Sequence, residues 1–362
     1  MDFEEERALA QAVKEVQKLE HRHREAADAL RARPFELQGP GFLEKKLLNK
    51  VETVPPQGRV AAVDGGVLSR ELHGLDIVLA RAVGAAFDYD AGKRVRTLYY
   101  PRARPSYKLK WRSALDAHDA LWLKSLARLE EELSCAQQTL ETLAPDVLLL
   151  DGSIVPQPGD KPGKESLLAN SYEGVLARYR ALYKACEARG TMLLGVVKDS
   201  RGTRFTDLLL RNVDMGGLRE SLSGAHDSLF LSHLLQEGER TCFFRYASAW
   251  AEPLVLRDLQ EWSTRIASTY LRPCKWDRPL RVDVLLPAKD SEFDSFFSRA
   301  SSLLQGLAGI NTRYAAPAVL IEADLRARGE ERDLDAACAT LDAKLGVRPS
   351  LYPLRRECRP FG

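Results

Sequence analysis

The chain has 362 residues and a nearly balanced charge, with 53 Lys and Arg against 51 Asp and Glu and a formal net charge of +2. Its hydrophobic content of 45% is typical of a globular protein, and its length allows two domains or one domain with large insertions. The six cysteines are widely spaced, which excludes a zinc ribbon or a disulfide framework and indicates reduced thiols. The N-terminus is acidic and no apolar run approaches the ~18 residues of a membrane-spanning helix, so we expect a cytoplasmic protein.

The hydrophobic pattern divides the first 200 residues into an N-terminal helix and an α/β core. Residues 3–32 have a highly charged helical pattern with a thin apolar stripe formed by Leu9, Val13, Val16 and Leu19. Three strands follow, and the short links between them predict antiparallel neighbours. A helix, a strand, a second helix and a further strand come next. The predicted bounds of these core elements are, in chain order, 59–64, 75–87, 94–100, 115–143, 147–150, 166–189 and 192–197.

This order of elements is that of a ribonuclease H-like core, in which helices flank a mixed five-stranded sheet. The predicted fold class is therefore α/β, with a helical N-terminal extension and a large insertion. After residue 200 the predicted elements are helices and loops over 201–240, strands at 241–246, 267–271 and 280–286, and helices at 293–307 and 318–328. The predicted domains are the extension (1–54), the first part of the core (55–200), the insertion (201–310) and C-terminal helices that complete the core (311–362).

Two apolar runs of the predicted core each end in an Asp-Gly pair. The run VAAVDGG reaches Asp64, and DVLLLDGS reaches Asp151. An Asp-Gly pair after a strand is a common turn. Aspartates at the ends of adjacent central strands are also suited to Mg²⁺ or Mn²⁺, which prefer oxygen ligands, and glycines beside them leave room for a phosphate backbone. The combination with the acidic residues described next favours a metal site over two unrelated turns.

A third acidic ligand is expected on the helix between the two aspartates, which carries Glu130, Glu131 and Glu132. Glu131 lies opposite the apolar stripe of this helix and is expected to face water, so it is a lesser candidate. Glu130 and Glu132 flank the stripe on either side. Periodicity does not choose between them.

Three later residues complete the set of candidates. Asp324 falls one helical turn after Leu320 and shares its inward face, which makes it a candidate fourth ligand. Lys198 stands at the end of the next buried strand, where a cation is suited to hold a scissile phosphate or to orient water. Its neighbour Asp199 is either a ligand or a turn or cap residue.

The segment from Ala91 to Arg112 holds eight Lys or Arg and no acidic residue. Cations neutralise phosphates, and aromatic faces stack on bases of any sequence, so this composition suits single-stranded DNA. The alternative is a solvated basic strand and loop whose tyrosines pack on the sheet. The predicted DNA-contacting residues are Arg94, Arg96, Tyr99, Tyr100, Arg102, Arg104, Tyr107, Lys108, Lys110, Trp111 and Arg112.

The two Asp-Gly strands, the glutamates between them, LLGVVKDS and YAAPAVLIEADLRAR together resemble the NurA nuclease family over about residues 55–335. The resemblance implies a ribonuclease H-like core, a homodimer and one or two Mn²⁺ or Mg²⁺ ions per site. It also implies 5′-to-3′ exonuclease and single-strand endonuclease activity on DNA, as single strands or duplex ends. The implied biological role is DNA end resection for recombinational repair with a hexameric HerA-type translocase.

The resemblance also assigns residues. The family's first aspartate, helical glutamate, second aspartate, lysine and late tyrosine match Asp64, Glu132, Asp151, Lys198 and Tyr314. Many members carry an Ala-His pair on the last helix, where this chain has Ala323-Asp324. A carboxylate there still binds a metal, but it does not act as a neutral imidazole or a proton donor near neutral pH without a large pKa shift.

These residues predict water-mediated phosphodiester hydrolysis in which Asp64, Glu132, Asp151 and Asp324 hold the metal and Lys198 assists. Two alternatives remain. An ATP-dependent phosphotransferase of the actin and sugar-kinase type shares the layout, but the second half of the chain has no additional glycine-rich loop for the adenosine. A non-catalytic DNA-binding adaptor of a translocase would use the same acidic residues for structure.

Overall fold

The computed structural model describes residues 3–32, 36–214, 216–247, 254–346 and 348–355. Its strands are β1 (Leu48–Lys50), β2 (Gly58–Glu71), β3 (Leu75–Asp90), β4 (Lys93–Tyr100), β5 (Lys108–Ser113), β6 (Val147–Asp151), β7 (Met192–Val197), β8 (Glu239–Thr241), β9 (Phe244–Arg245), β10 (Ile266–Arg272) and β11 (Leu280–Leu285). Its α-helices are α1 (Phe3–Ala32), α2 (Ala117–Leu143), α3 (Ala169–Arg189), α4 (Arg204–Asn212), α5 (Arg219–Leu222), α6 (Asp227–Leu234), α7 (Leu254–Arg257), α8 (Phe293–Ala308), α9 (Ala318–Ala327) and α10 (Glu331–Leu345).

Contacts between Cα atoms divide the chain into two compact units. The first unit consists of Met1–Val54, Val197–Trp250 and Ile266–Ala316. The second unit consists of Pro55–Val196, Ala251–Arg265 and Pro317–Gly362. The domain limits predicted from the sequence stay a prediction.

The second unit contains a mixed sheet with strands in the order β7-β6-β2-β3-β4. β2 and β3 are antiparallel over their whole lengths, β4 is antiparallel to β3, and β6 and β7 continue in parallel from β2. β5 pairs with the half of β3 that β4 leaves open. The predicted five-stranded sheet is therefore too small, because the charged segment after β4 adds β5 as a further strand.

The predicted end of β2 at Asp64 is wrong. β2 continues to Glu71, with Gly65 and Gly66 in extended conformation opposite Ala82 and Arg81 of β3. The Asp-Gly-Gly sequence reads as a turn because these residues are frequent in turns, but here the ladder with β3 passes straight through it. What does end near Asp64 is the parallel pairing of β2 with β6.

Helices flank the sheet of the second unit. The long helix α2 begins at its N-cap Asp116, whose side chain accepts hydrogen bonds from the backbone N–H groups of His118 and Asp119, a standard way to satisfy the first free donors of a helix. It ends at Ala144, in the left-handed region, directly before Pro145. α2 contacts β2, β3 and α3, and α9 contacts β2 and β3. Both α2 and α9 therefore pack against the β2–β3 pair that contains Asp64.

The first unit has its own core. β10 pairs in antiparallel fashion with β11, β8 and β9, and β1 pairs with β8. The C-terminal half of α1 packs into this core through Ala26, Ala27 and Leu30 together with apolar residues of α4 and α6. Among the described residues of both units, no helix is both long and apolar enough to cross a membrane.

Candidate functional site

Asp64 and Asp151 come from neighbouring parallel strands. β2 and β6 pair up to Val63 opposite Leu150, and the two aspartates directly follow this pair. Side chains alternate between the faces of a sheet, so residues at matching positions of parallel strands lie on the same face. Asp64 is buried, and the backbone N–H of Gly65 donates to its Oδ1 at 2.7 Å. The predicted convergence of the two aspartates at one place on the sheet therefore follows from strand register.

α2 brings Glu132 against β2. A Cβ atom added to Gly65 would lie 2.7 Å from Oε1 of Glu132, which is inside van der Waals contact. A side chain at position 65 would therefore displace the Glu132 carboxylate. The backbone of Gly65 is extended, so the glycine is not needed for a left-handed conformation. Arg128, one turn earlier on α2, donates from Nη1 to Oε1 of Glu132 at 3.1 Å.

Burial and several nearby charges shift the pKa of Glu132. Burial raises the pKa of Glu132 to about 8. The positive charge of Arg128 opposes this rise, whereas the negative charges of Asp64, Asp151 and Asp160 add to it. Nearby carboxylates repel one another unless a proton or a cation reduces their charge. A divalent cation bound among these carboxylates would reduce their mutual repulsion.

The donor set fits Mn²⁺ or Mg²⁺ by its chemistry. Asp64, Glu132 and Asp151 are oxygen donors from three separate elements, as hard divalent ions require. Within the ranges that the structure describes, however, no three His, Cys, Asp or Glu side chains are already arranged to hold an ion. Arg128 engages Oε1 of Glu132, so an ion at this position would compete with the guanidinium for that carboxylate.

The other two glutamates of the predicted trio contact β5. Glu130 accepts a hydrogen bond from Lys110, and Glu131 forms an ion pair with Lys108 at 2.7 Å. The side chain of Glu131 is only 10% exposed, so the prediction that it faces water is wrong. The physical reason is β5, which covers this side of α2 and supplies lysines to its carboxylates.

Asp324 lies on α9 and forms an ion pair with Arg328, one turn later, at 2.6 Å. The end of this helix rests on β2: a Cβ on Gly66 would overlap the carbonyl oxygen of Ala327. Arg81 of β3 also donates to that carbonyl at 3.0 Å. α9 is thereby held on the strand that carries Asp64.

Three predicted residues belong to the first unit. Lys198 directly follows the last residue of β7 and is half-buried. Asp199 is exposed and forms an ion pair with Arg278 at 3.2 Å. Tyr314 is 46% exposed, and its backbone N–H donates to the Asn311 side chain. Lys198 therefore occupies the strand-end position that was predicted for it.

The aromatic residues of the predicted DNA-contacting segment divide into two groups. The hydroxyl groups of Tyr99, Tyr100 and Tyr107 donate to Glu322, Gln138 and Asp333, at 2.6, 2.8 and 2.9 Å. These tyrosines are therefore engaged by helices α9, α2 and α10. Trp111 on β5 is instead 57% exposed and presents an aromatic face to solvent.

The cations of the same segment also divide. Lys108 and Lys110 are paired with glutamates of α2, and the guanidinium of Arg94 lies 4.9 Å from the ring centroid of Phe87. The side chain of Arg102 donates to Ser106. The exposed cations on these strands and their connecting loop are Lys93, Arg94, Arg96, Arg102, Arg104, Lys108 and Arg112.

Arg128 and Asp160 are absent from the residues predicted from the sequence. Glu132 raises the pKa of Arg128, burial opposes the rise, and Asp160 adds to it. Asp160 accepts from the backbone N–H of Gln157 at 2.8 Å and from the hydroxyl of Ser125. The spacing of four between Arg128 and Glu132 is a helical ion-pair signal that could have identified the arginine. Asp160 lies in the irregular loop after β6, where no periodic pattern identifies it.

A sequence model described as the NurA domain matches residues 58–337. No curated protein is a match. Among solved structures, the NurA nuclease from Sulfolobus solfataricus is similar with a TM-score of 0.60 and 17% identity, covering 100% of both chains. A NurA structure with manganese has a TM-score of 0.52 and 11% identity, covering 94% of this chain and 100% of that chain. A further NurA structure has the same score and identity over 83% of this chain and 92% of that chain. These likenesses show the fold, and because the NurA domain spans most of its length, the chain belongs to the NurA family.

Proposed function

We propose that this chain is a metal-dependent nuclease that hydrolyses phosphodiester bonds in DNA. The observation that carries the proposal is the approach of Glu132 to Gly65, beside Asp64 and the parallel strand that ends in Asp151. The negative charges of Asp64 and Asp151 also raise the pKa of Glu132, and a cation would relieve this repulsion. Membership of the NurA family supports the same function.

We also propose that the sheet of the second unit is the core of a ribonuclease H-like fold. Its support is the strand order β7-β6-β2-β3-β4, with three antiparallel strands first in the chain and two parallel strands later. On this proposal the N-terminal extension (1–54) and the insertion (201–310) are additions to that core. The C-terminal helices (311–362) complete it.

Each residue of the candidate site has a separate proposed role in hydrolysis. One or two Mn²⁺ or Mg²⁺ ions, when bound, lower the pKa of water and neutralise charge on the phosphate. Asp64, Glu132 and Asp151 hold the metal, and Asp324 is proposed as a further ligand. Arg128 holds the Glu132 carboxylate in place. Lys198 is proposed to bind the scissile phosphate.

The β4–β5 segment is proposed to guide the DNA strand. Exposed arginines attract phosphates, and the exposed ring of Trp111 is suited to stack on a base. Because Tyr99, Tyr100 and Tyr107 are engaged within the protein, we expect Trp111 to contribute more to binding than they do. Neither strand presents an element suited to reading base edges, so we expect little sequence preference.

The finer activity is proposed on the family resemblance. It comprises 5′-to-3′ exonuclease and single-strand endonuclease activity in a homodimer. The proposed setting is cytoplasmic DNA end resection for recombinational repair with a HerA-type translocase. The similar NurA structure with manganese supports Mn²⁺ as the preferred ion.

The test is incubation of the purified protein with end-labelled single-stranded DNA, with Mn²⁺ or with chelator, and with or without ATP. Shortening of the DNA that needs metal but not ATP supports the nuclease. Intact DNA with retained binding would support the adaptor instead, and ATP turnover without loss of DNA would support the phosphotransferase. Labels at the 5′ or 3′ end report the polarity of degradation.

Matched variants test the residues. Asp64→Asn and Asp151→Asn are each expected to slow cleavage by about 100-fold or more, because each removes a charged metal ligand. Glu141→Gln is the control, since Glu141 is an exposed carboxylate on α2 that accepts from Gln137. Cleavage at the wild-type rate by the two aspartate variants would refute the proposed site.

A further inference from the structure

Two loops of the first unit lie side by side. The β10–β11 loop meets the segment that follows α8 through two hydrogen bonds: the backbone N–H of Trp276 donates to the carbonyl of Thr312 at 3.3 Å, and that of Ala315 donates to Oδ2 of Asp277 at 2.7 Å. These bonds place the exposed side chains of both loops on one patch. We call this patch the loop surface and define it by Lys275, Trp276, Arg278, Ile310, Arg313 and Tyr314.

The loop surface exposes large apolar side chains. Trp276 is 68% exposed, Ile310 72% and Tyr314 46%. Single exposed apolar residues are common in folded proteins, but a cluster of them is typical of a binding surface. Two of the three are aromatic, and the ammonium of Lys275 lies 4.7 Å from the centroid of the Trp276 ring.

Hydrogen bonds hold both loops in shape. The side chain of Gln305 on α8 donates to the carbonyl of Pro273 at 2.9 Å, and Arg272 donates to the carbonyl of Lys275 at 2.8 Å. In the other loop, the Asn311 side chain accepts from the backbone N–H groups of Arg313 and Tyr314. A surface that is already ordered loses little entropy when a ligand binds.

The charged side chains of the loop surface favour a negatively charged ligand. It carries three cations, Lys275, Arg278 and Arg313, and the carboxylate between them, Asp277, already accepts from Ala315. Arg278 also pairs with Asp199, but both side chains are mostly exposed, and exposed pairs are weak. The patch is therefore basic as well as aromatic.

We propose that the loop surface binds single-stranded DNA. Bases stack on Trp276 and Tyr314, and phosphates lie near Lys275 and Arg313. A duplex hides the faces of its bases, whereas a single strand offers bases and phosphates together. This inference rests on the proposed function, because it assigns the proposed DNA substrate a contact on the first unit.

Binding can be measured apart from cleavage, with a fluorescent oligothymidine of about 30 nucleotides in chelator. Trp276→Ala is expected to weaken binding by about 5- to 150-fold, the range for loss of one base–aromatic stack. Trp276→Phe retains an aromatic face and should restore most of the affinity. Tyr352→Ala is the control, because Tyr352 is an exposed aromatic residue of the second unit and should leave binding unchanged.

The phosphate contacts have a separate readout. Lys275→Gln and Arg313→Gln should each reduce the slope of log affinity against log salt by about 0.7, the contribution of one contact to a single strand. Lys289→Gln is the matched control, since Lys289 is exposed in the same unit but lies 3.9 Å from Glu292. Unchanged thermal unfolding of each variant would show that the loops still fold.

The outcomes separate this inference from the proposed function. If the wild type binds DNA through the loop surface but does not degrade it with Mn²⁺, the nuclease proposal fails and this one stands. If the wild type degrades DNA while Trp276→Ala binds it normally, only this inference is overturned. It is also overturned if Trp276→Phe binds as weakly as Trp276→Ala, or if the variants lose a protein partner and keep their DNA affinity.

Discussion

Glu132 is a carboxylate whose ionisation opposes folding in the absence of metal. Burial raises its pKa from the ordinary 4.5 to about 8, so the folded protein binds this proton more tightly than the unfolded chain. The proton stabilises the fold, and its contribution is lost as pH rises from about 4.5 through about 8. A bound cation would replace the proton and remove this dependence.

The expected result is a pH-dependent difference between wild type and Glu132→Gln. In chelator, the free energy of unfolding of the wild type should fall relative to that of Glu132→Gln between about pH 5 and pH 9, because Gln does not ionise. Mn²⁺ should reduce the fall in the wild type. Thermal unfolding across this pH range measures both effects, and parallel curves for the two proteins in chelator would contradict the pKa shift.

Arg128 is expected to oppose the binding of a cation to Glu132. It engages Oε1 of Glu132, and it places a positive charge beside the proposed cation site. Arg128→Gln is therefore expected to tighten Mn²⁺ binding by about threefold or more while lowering the stability of the metal-free protein. Arg128→Lys keeps the charge and should resemble the wild type. Calorimetric titration with Mn²⁺ measures the affinity, and weaker binding by Arg128→Gln would show that the arginine assists the metal.

At the scale of elements, two successive glycines of β2 lie in close contact with two different helices. Gly65 accommodates Glu132 of α2, and Gly66 accommodates the carbonyl of Ala327 at the end of α9. Both glycines have an extended backbone that alanine can adopt. An alanine at either position would therefore be unfavourable only because its Cβ clashes with the neighbouring helix. The two substitutions should therefore have different effects.

Gly65→Ala is expected to push the Glu132 side chain away and to weaken Mn²⁺ binding, with a small loss of stability because a side chain can move. Gly66→Ala meets the backbone of α9, which cannot move without disturbing its packing, and should destabilise the protein by about 1–3 kcal/mol. Gly163→Ala is a control, because its Cβ would meet no atom within 4 Å. Metal titration and thermal unfolding separate the two effects, and equal losses of stability would contradict the assignment.

The same elements show what the sequence could predict about the fold. The bounds of β3, β4, β6, β7 and α2 follow from local patterns of apolar residues and agree with the structure to within a few residues. β2 extends past its predicted end because Asp-Gly-Gly has the composition of a turn, whereas its conformation is decided by pairing with β3. β5 has mostly exposed, basic side chains, and such a strand has no apolar alternation to identify it.

At the scale of the whole molecule, the candidate site depends on acidic residues that are distant in the sequence lying close together in the fold. The order of strands and helices was sufficient to predict that Asp64 and Asp151 lie on neighbouring strands, and the register of β2 with β6 places them at matching positions. The choice of Glu132 among three glutamates required the resemblance to a family, since helical periodicity left Glu130 open. The spacing of four residues between Arg128 and Glu132 indicates an ion pair on α2, but the proximity of this pair to the aspartates is apparent only from the structure. The roles of all these residues stay proposals.

The first unit has a buried polar centre of its own that does not belong to the candidate site. Asp227, the first residue of α6, is fully buried and accepts from the backbone N–H groups of Phe205 and Thr206 and from the hydroxyls of Thr206 and Tyr270, each at 2.9 Å. Burial raises the pKa of Asp227, and these donors oppose the rise. One carboxylate thus joins α4, α6 and β10.

Asp227→Asn is expected to destabilise the first unit by about 1–3 kcal/mol, because the new amide group turns an N–H₂ donor toward groups that are themselves donors. Asp207→Asn is the matched control, since Asp207 lies on α4, is partly exposed and accepts from the hydroxyl of Thr203. Hydrogen exchange resolved along the chain should show lost protection in α4, α6 and β10, while exchange around β2 and β6 stays as in the wild type. Unchanged protection in these three elements would mean that Asp227 does not hold the first unit together.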